Sequence, residues 1–401
     1  MNENKIWWSQ LKENAFVIIE TILSIVIVYS SVIKRDDITS DAFTFSFVSL
    51  LVMFMIILLR KNIDKYFVLL IFIVIISIIN VLITSFIANV QINFYYLQSL
   101  FIFLSTLIFY TISQNYKINK VTENFIYISQ IVIALAYPYC YNFVEMKTNH
   151  TYNIAFNFSN PNLAGMFIFL TILYMILGII RYKKIWIKLI FLILAVVNFN
   201  YMQETGSRNA LLALIVFLVL IGISYIKKTN LYKNWMLAFF SYLPSLFVPV
   251  YLLYINVVIK KGWFSSLVSE GKNLNSREEI WRQFFSKLGD KWLVGNYPSA
   301  RGNAHNSHMV VLCSFGLIVL VMVIILTYKI LENTNKKCKT FYTFCCMIAF
   351  IASLLIGIGE GALFSGGQGI YILAGSFLFL VNVEQDNAEN DNAEKRHYFE
   401  I

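Results

Sequence analysis

Apolar residues in this chain run in long blocks and do not alternate with polar ones. A helix needs about 20 apolar residues to cross a hydrocarbon core of roughly 30 Å. Twelve blocks approach that length: residues 15–33, 42–59, 66–87, 94–112, 125–144, 163–180, 185–201, 210–226, 235–259, 308–330, 341–359 and 366–383. The pattern predicts an all-α, polytopic membrane protein with about twelve transmembrane helices. The first block follows Lys12 and Glu13, too polar and too late for a cleavable signal peptide, and is expected to be a retained span. The fourth block contains Gln98 and the last opens on glycines, which makes these two the least regular. The segment between spans nine and ten, 260–307, is the one sizeable connection.

Composition supports the spans. Hydrophobic residues make up 58% of the 401 residues and charged residues 13%, about half the usual charged share of roughly 25%. So few charges cannot cover the surface of a soluble domain. The 32 Lys+Arg against 22 Asp+Glu give a formal charge of +10. They are split among short loops, which argues against nucleic acid as a partner. Arg60, Lys61 and Lys65, then Arg181, Lys183, Lys184 and Lys188, then Lys329, Lys336, Lys337 and Lys339, fall in alternate connections. The intervening short loops hold only Lys34, Arg35, Lys147 and Arg208. By the positive-inside rule both termini are cytoplasmic and 260–307 is external. Residues 1–383 read as one transmembrane domain and 384–401 as a polar cytoplasmic tail. The five cysteines lie in apolar stretches or a basic loop, and neither a disulfide nor a metal cluster is expected.

Four polar places fall on the external side of this topology. In Gln203-Glu204-Thr205-Gly206-Ser207-Arg208-Asn209-Ala210, Arg208 stands at the mouth of a helix N-terminus. Unpaired N–H groups and the helix dipole there suit an anion, most naturally a phosphate; a snorkelling interfacial arginine is the alternative. Residues 276–292 have the period of an amphipathic surface helix, with Ser276 and Glu279 forming a capping box. Stepping about 100° per residue from Ile280, the residues Phe284, Leu288, Trp281, Trp292 and Phe285 stay within roughly 140°. Arg277 falls near 60°, inside that apolar arc, and Arg282 near 200°, on the polar side. An arginine aimed at the buried side needs an anion, either a ligand phosphate or a salt-bridge partner. Arg282 reads as a solvated charge, at most a secondary binder.

His305 and His308, two of only four histidines, stand three residues apart at the start of span ten, with Asn306 between them. A histidine there can act as a general base on a sugar hydroxyl, or both can be interfacial hydrogen bonders. The residues supply no zinc ligand set. Glu360, amid glycines in 357–369, can orient a histidine, bind a substrate hydroxyl or be a loop charge. In Asn160-Pro161-Asn162, before span six, the proline marks a turn and Asn162 is an expected N-cap and candidate binding residue.

Taken together these stretches resemble the O-antigen ligase and polymerase family of bacterial envelope polysaccharide enzymes. The likeness rests on Asn160-Pro161-Asn162, on Thr205-Gly206-Ser207-Arg208-Asn209-Ala210, on Ser276-Arg277-Glu278-Glu279-Ile280-Trp281 with Gly295-Asn296, and on His305-Asn306 separated by nine residues from Gly316. It covers about 160–316, and Tyr297 departs from it where the family often has glycine. The resemblance implies a membrane-type (GT-C-like) glycosyltransferase in the bacterial cytoplasmic membrane. The implied donor is an undecaprenyl-diphosphate-linked oligosaccharide, with no cofactor and no metal. Arg208 and Arg277 would hold the diphosphate and His305 would be the base, with Asn306, His308, Arg282, Glu360 and Asn162 binding substrate. Membrane lipid, a flippase and a chain-length regulator of the same pathway are the expected partners. Three functions compete: a polymerase extending a lipid-linked glycan, a ligase delivering the finished glycan to a terminal acceptor, and a transporter or flippase. The last predicts charges deep in mid-span and has no need of an arginine-bearing external helix.

Overall fold

The computed structural model describes residues 15, 65–93, 96–137, 143–146, 151–154, 161–227, 232–254, 277–300, 305–360 and 370–383. The expected spans 15–33 (beyond residue 15) and 42–59, the capping residue Ser276, the asparagine Asn160 and the tail 384–401 lie outside these residues. The helices are α1 (Lys65–Ile87), α2 (Gln98–Ser113), α3 (Lys120–Ala136), α4 (Pro161–Arg181), α5 (Ile185–Glu204), α6 (Arg208–Lys227), α7 (Asn234–Tyr254), α8 (Arg277–Leu288), α9 (Tyr297–Ala300), α10 (Ser307–Lys337), α11 (Phe341–Ile356) and α12 (Ile370–Val381). Two short strands, β1 (Phe143–Met146) and β2 (Thr151–Ile154), pair antiparallel with Phe143 opposite Ile154 and Met146 opposite Thr151.

Among the described residues six helices are long and apolar enough to cross a membrane: α1, α4, α5, α6, α7 and α10. The chain is therefore an almost entirely helical protein of membrane type. Two of the expected spans are shorter than their apolar blocks. α2 and α11 have 16 residues, below the roughly 20 needed for a straight crossing. They are apolar because they are interior, packed among the longer helices.

The fifth expected span, 125–144, requires correction. The helix starts earlier, where the Asn119 side chain accepts from the Thr122 amide at 2.9 Å, and ends at Ala136. Tyr137 keeps helical angles, φ −53° and ψ −44°, after it, and 138–142 lie outside the described residues. Phe143 and Val144, the last residues of the expected span, instead belong to β1, which pairs with β2. The described fold stays almost entirely helical, with this one short pair of strands added.

α4 is the centre of the bundle. Nearly every side chain from Ala164 to Leu177 is buried, against α3, α5, α6, α11 and α12. α1, α5 and α6 sit outside and show outward rows such as Phe72, Ile79 and Leu82 or Leu189, Ile193 and Val196. Apolar faces of that extent suit lipid rather than water.

α10 is two helices joined at a break. Gly316 takes φ 89° and ψ 172° inside it, a conformation essentially confined to glycine. The freed backbone groups are paired by neighbouring segments. The Asn296 amide donates to Cys313 O at 2.7 Å, the Leu317 amide to Trp292 O at 2.8 Å, and Asn80 Nδ2 to Phe315 O at 2.7 Å. At membrane depth non-helical backbone is tolerated only when protein satisfies it in this way. Gly295, at φ 80°, faces Gly316 so closely that a Cβ on it would lie 2.7 Å from the Gly316 amide nitrogen, and a Cβ on Gly316 would lie 2.1 Å from Leu293 O. Tyr297, the departure from the family pattern, is fully buried beside this junction. Its hydroxyl donates to Tyr96 O at 2.7 Å and its ring packs on Phe315.

At the other end of the bundle the buried carboxylate of Glu123 receives Arg181 Nε at 2.6 Å, Arg181 Nη2 at 3.0 Å, Lys120 Nζ at 2.8 Å and the Tyr342 hydroxyl at 3.2 Å. Burial pushes its pKa up, but the paired Arg181 and Lys120 outweigh burial and hold it below the ordinary value. This clamp ties α3, α4 and α11 together.

Two outcomes follow from these contacts. Gly316→Ala should cost about 2–6 kcal/mol, combining backbone strain and overpacking. Gly222→Ala, on α6 with no neighbour within 4 Å, should be neutral or stabilising by up to about 1 kcal/mol. Thermal unfolding in detergent checks both, and equal melting temperatures would contradict the spliced break. Because the Glu123 pKa is depressed by folding, its stabilisation is present above the unfolded carboxyl value and is lost as pH falls through the lower folded one. Glu123→Gln should therefore flatten the acid limb of the stability–pH curve, measured from neutrality down through the carboxyl range.

Candidate functional site

The site forms where one end of the bundle gathers α8, the starts of α6 and α10, and the turn after α11. α8 is fixed by its apolar face. Trp281 is fully buried and meets Phe247 and Tyr251 of α7 edge-on at 6.2 and 5.7 Å; Phe284 and Leu288 are buried beside it. The helical phase read from the sequence therefore holds for these residues. Arg277 is buried and Arg282 is on the exposed side. The expected helix 276–292 is shorter, ending at Leu288, where Gly289 adopts φ 56° and its amide returns to Phe285 O at 3.1 Å. That left-handed residue closes the helix, so Trp292 lies in the following turn. Its ring stacks on Phe285 and is exposed.

α11 ends at Ile356 and continues as a turn whose amides fold back, Gly357 to Leu354 O at 3.0 Å and Glu360 to Ile356 O at 3.1 Å. The turn delivers Glu360 into the interior, with 4% of its side chain exposed. Arg277 Nη2 donates to Glu360 Oε1 at 2.8 Å, and His305 Nδ1 lies 3.1 Å from Oε2. One carboxylate thus bridges an arginine and a histidine from separate segments. His305 keeps 22% of its side chain exposed and so stays reachable. Its backbone is left-handed at φ 47°, an uncommon state for a residue with a side chain, and the following asparagine holds it there.

Asn306 is fully buried. Its Oδ1 caps α10 by accepting from the Met309 amide at 2.9 Å, and its Nδ2 donates to Pro244 O at 2.9 Å and Ile358 O at 3.0 Å. The amide is committed to backbone, joining α7, α10 and the α11 turn. Ser307 adds bonds from its amide to Gly357 O at 2.8 Å and from its hydroxyl to Glu360 O at 3.0 Å. His308 is buried, with Nδ1 at 2.6 Å from Ser245 Oγ, and points into α7.

Arg208 is the first residue of α6 and is exposed. The first helical bond runs from the Leu211 amide to Ser207 O at 3.2 Å, which leaves the amides of Arg208, Asn209 and Ala210 ahead of any intrahelical acceptor. Ser207 Oγ is buried and meets no hydrogen-bond partner. The loop before α6 presses on Gly165 of α4, where an added Cβ would lie 2.3 Å from Ser207 Cβ. Asn209 presses on Gly359, where it would lie 2.2 Å from Asn209 Nδ2. The α6 start is thereby set against the turn carrying Glu360. Asn162, expected as an N-cap, is the second residue of α4, because Pro161 takes the first helical position.

The structure therefore draws Arg277, His305 and Glu360 into direct contact and sets the Arg208 helix terminus beside them. Asn306 and His308 serve the surrounding scaffold, and Arg282 stands away. Sequence reading missed Ser207 and Ser245, and it offered Glu360 to orient a histidine without its pairing to Arg277. The glycines at 357 and 359, which permit the close approach, were the one signal for Glu360. Among the described residues no group of three or more His, Cys, Asp or Glu could hold a metal ion. No protein-family model matches the chain, and no curated protein matches it in sequence.

Asn306→Ala should destabilise the protein by about 2–4 kcal/mol, from a lost helix cap and two lost buried hydrogen bonds. Asn306→Asp keeps the cap but turns a carboxylate oxygen, which cannot donate, toward Pro244 O and Ile358 O, and should lose at least as much. Unfolding midpoints of the two variants test this; an unchanged midpoint for Asn306→Ala would remove its scaffold role.

Proposed function

We propose that this protein is a glycosyltransferase that elongates an envelope polysaccharide of the O-antigen or capsule type. In this reading it works at the outer face of a bacterial cytoplasmic membrane, with both termini cytoplasmic, and moves a growing glycan from undecaprenyl diphosphate onto the next lipid-linked repeat unit. The observation that carries the reading is the contact set Arg277–Glu360–His305 beside the uncapped start of α6.

The transfer needs three things at one place: a base for the acceptor hydroxyl, donors for a departing diphosphate, and a hydrophobic setting for two polyprenyl chains. His305 supplies the base. Its ring takes the hydroxyl proton as the acceptor oxygen bonds to the anomeric carbon. The bond from that carbon to the phosphate oxygen breaks, and undecaprenyl diphosphate leaves with the electron pair. Arg208, Ser207 Oγ and the first amides of α6 suit the anion, since a helix N-terminus presents donors and positive dipole together. Arg277 gives one Nη to Glu360 and has further donors in its fork for a phosphate. The exposed apolar rows of α1, α5 and α6 suit lipid tails.

The transporter alternative predicts charge in mid-span. Among the described residues the charged side chains of α1, α3, α4, α5 and α6 stand near helix ends, which supports the enzyme reading.

With purified enzyme and lipid-linked repeat units, His305→Ala should lower turnover by about 10²–10⁴ while donor still binds. Arg208→Lys should also lose most activity, because a point charge replaces the planar fork. Arg282→Lys should be mild. EDTA should leave the wild type active. Full turnover by His305→Ala, or inhibition by EDTA, contradicts the mechanism.

A further inference from the structure

We infer that Glu360 is a positioning residue that selects the working tautomer of His305. The inference rests on His305 being the base of the proposed transfer, but its own evidence is geometric.

An ionised carboxylate only accepts hydrogen bonds. With Arg277 Nη2 on Oε1 at 2.8 Å and His305 Nδ1 on Oε2 at 3.1 Å, the proton of neutral His305 belongs on Nδ1. The lone pair then sits on Nε2, at the far edge of a ring that remains partly exposed. A carboxylate at one ring nitrogen fixes which nitrogen is basic and stabilises the imidazolium formed when the other takes a proton. Several contacts hold Glu360 for this task. Its carbonyl accepts from Ser307 Oγ at 3.0 Å and its amide donates to Ile356 O at 3.1 Å. Arg277 fixes the plane of the carboxylate by occupying the second oxygen. The left-handed backbone of His305, at φ 47°, brings the ring onto the carboxylate from a segment 55 residues away in sequence. His308, one turn along α10, bonds Ser245 instead, and Arg208 stands on the adjoining helix start.

The consequence is specific. Glu360→Gln can keep an acceptor for Arg277, but its amide nitrogen can donate to Nδ1. That would move the His305 proton to Nε2 and remove the lone pair from the reacting edge. Loss of a merely structural salt bridge would not change the tautomer.

The test is 15N NMR of full-length protein labelled at histidine, with the His305 signals assigned by their loss in His305→Gln. At a pH where the ring is neutral, the wild type should show a protonated Nδ1 and an unprotonated Nε2. Glu360→Gln should shift the proton toward Nε2. Its kcat should drop by about 10²–10⁴, the range for losing a general base, with KM for the lipid-linked unit changed little. A wild-type ring protonated at Nε2 overturns the inference even if the variant does not fold, and so does a Glu360→Gln ring still protonated at Nδ1. The expected tautomers in a protein that polymerises no lipid-linked glycan would uphold the role of Glu360 and sink the polymerase reading. Polymerisation with the wrong tautomers would do the reverse.

Discussion

A single carboxylate, buried at the end of a helical bundle, organises the candidate site of this protein. A charge out of water needs partners, and breaking such a pairing costs several kcal/mol because the partner is left uncompensated. Glu360 meets that demand with Arg277 and His305, which lie 83 and 55 residues away along the chain. The packing that surrounds it follows from the need to bring those three segments together. Trp281 docks α8 on α7, Asn306 laces α7 to α10 and to the turn after α11, and Asn209 meets Gly359.

Backbone hydrogen bonding is the second constraint. α10 carries the His305 segment at its start and the broken residue Gly316 within its apolar length. The break pairs its loose amides and carbonyls with Trp292 and Asn296, immediately after α8. The splice therefore links the arginine-bearing helix to the histidine-bearing one through main chain as well as through Glu360. Asn296 also caps the end of α8, donating to Lys287 O at 2.6 Å. At the opposite end of the bundle the Glu123 clamp holds α3, α4 and α11 by similar physics, so both ends of α11 are tied by buried carboxylates.

Much of this was legible in the sequence, for reasons that differ by element. The starts of α5 and α6 follow from apolar blocks meeting polar loops. The burial of Arg277 followed from helical phase, because Trp281, Phe284 and Leu288 define the buried side. Hydropathy could not see Gly316, since a window of apolar residues is blind to φ. It also ran the fifth span on to residue 144, counting apolar side chains alone, and so took Phe143 and Val144, which pair in β1, as helix. The lengths of α2 and α11 were overestimated for a related reason: an apolar helix buried in protein looks like one buried in lipid. That Glu360 could orient a histidine was legible from its place among glycines, but that the same carboxylate also takes Arg277 depends on tertiary contacts that no local pattern encodes. Asn306 and Asn162 were read as ligands or caps from position alone; the structure spends Asn306 on scaffold bonds and moves Asn162 into the first turn of α4.

The central claim is that this site transfers a glycan from one lipid diphosphate to another. The most direct measurement reconstitutes the purified protein in liposomes with defined lipid-linked repeat units and counts two products: glycosidic bonds and free undecaprenyl diphosphate. The account predicts a ladder of lipid-linked polymer with one undecaprenyl diphosphate released for each bond formed. Movement of intact units across the bilayer with neither bond formation nor release of undecaprenyl diphosphate would contradict it.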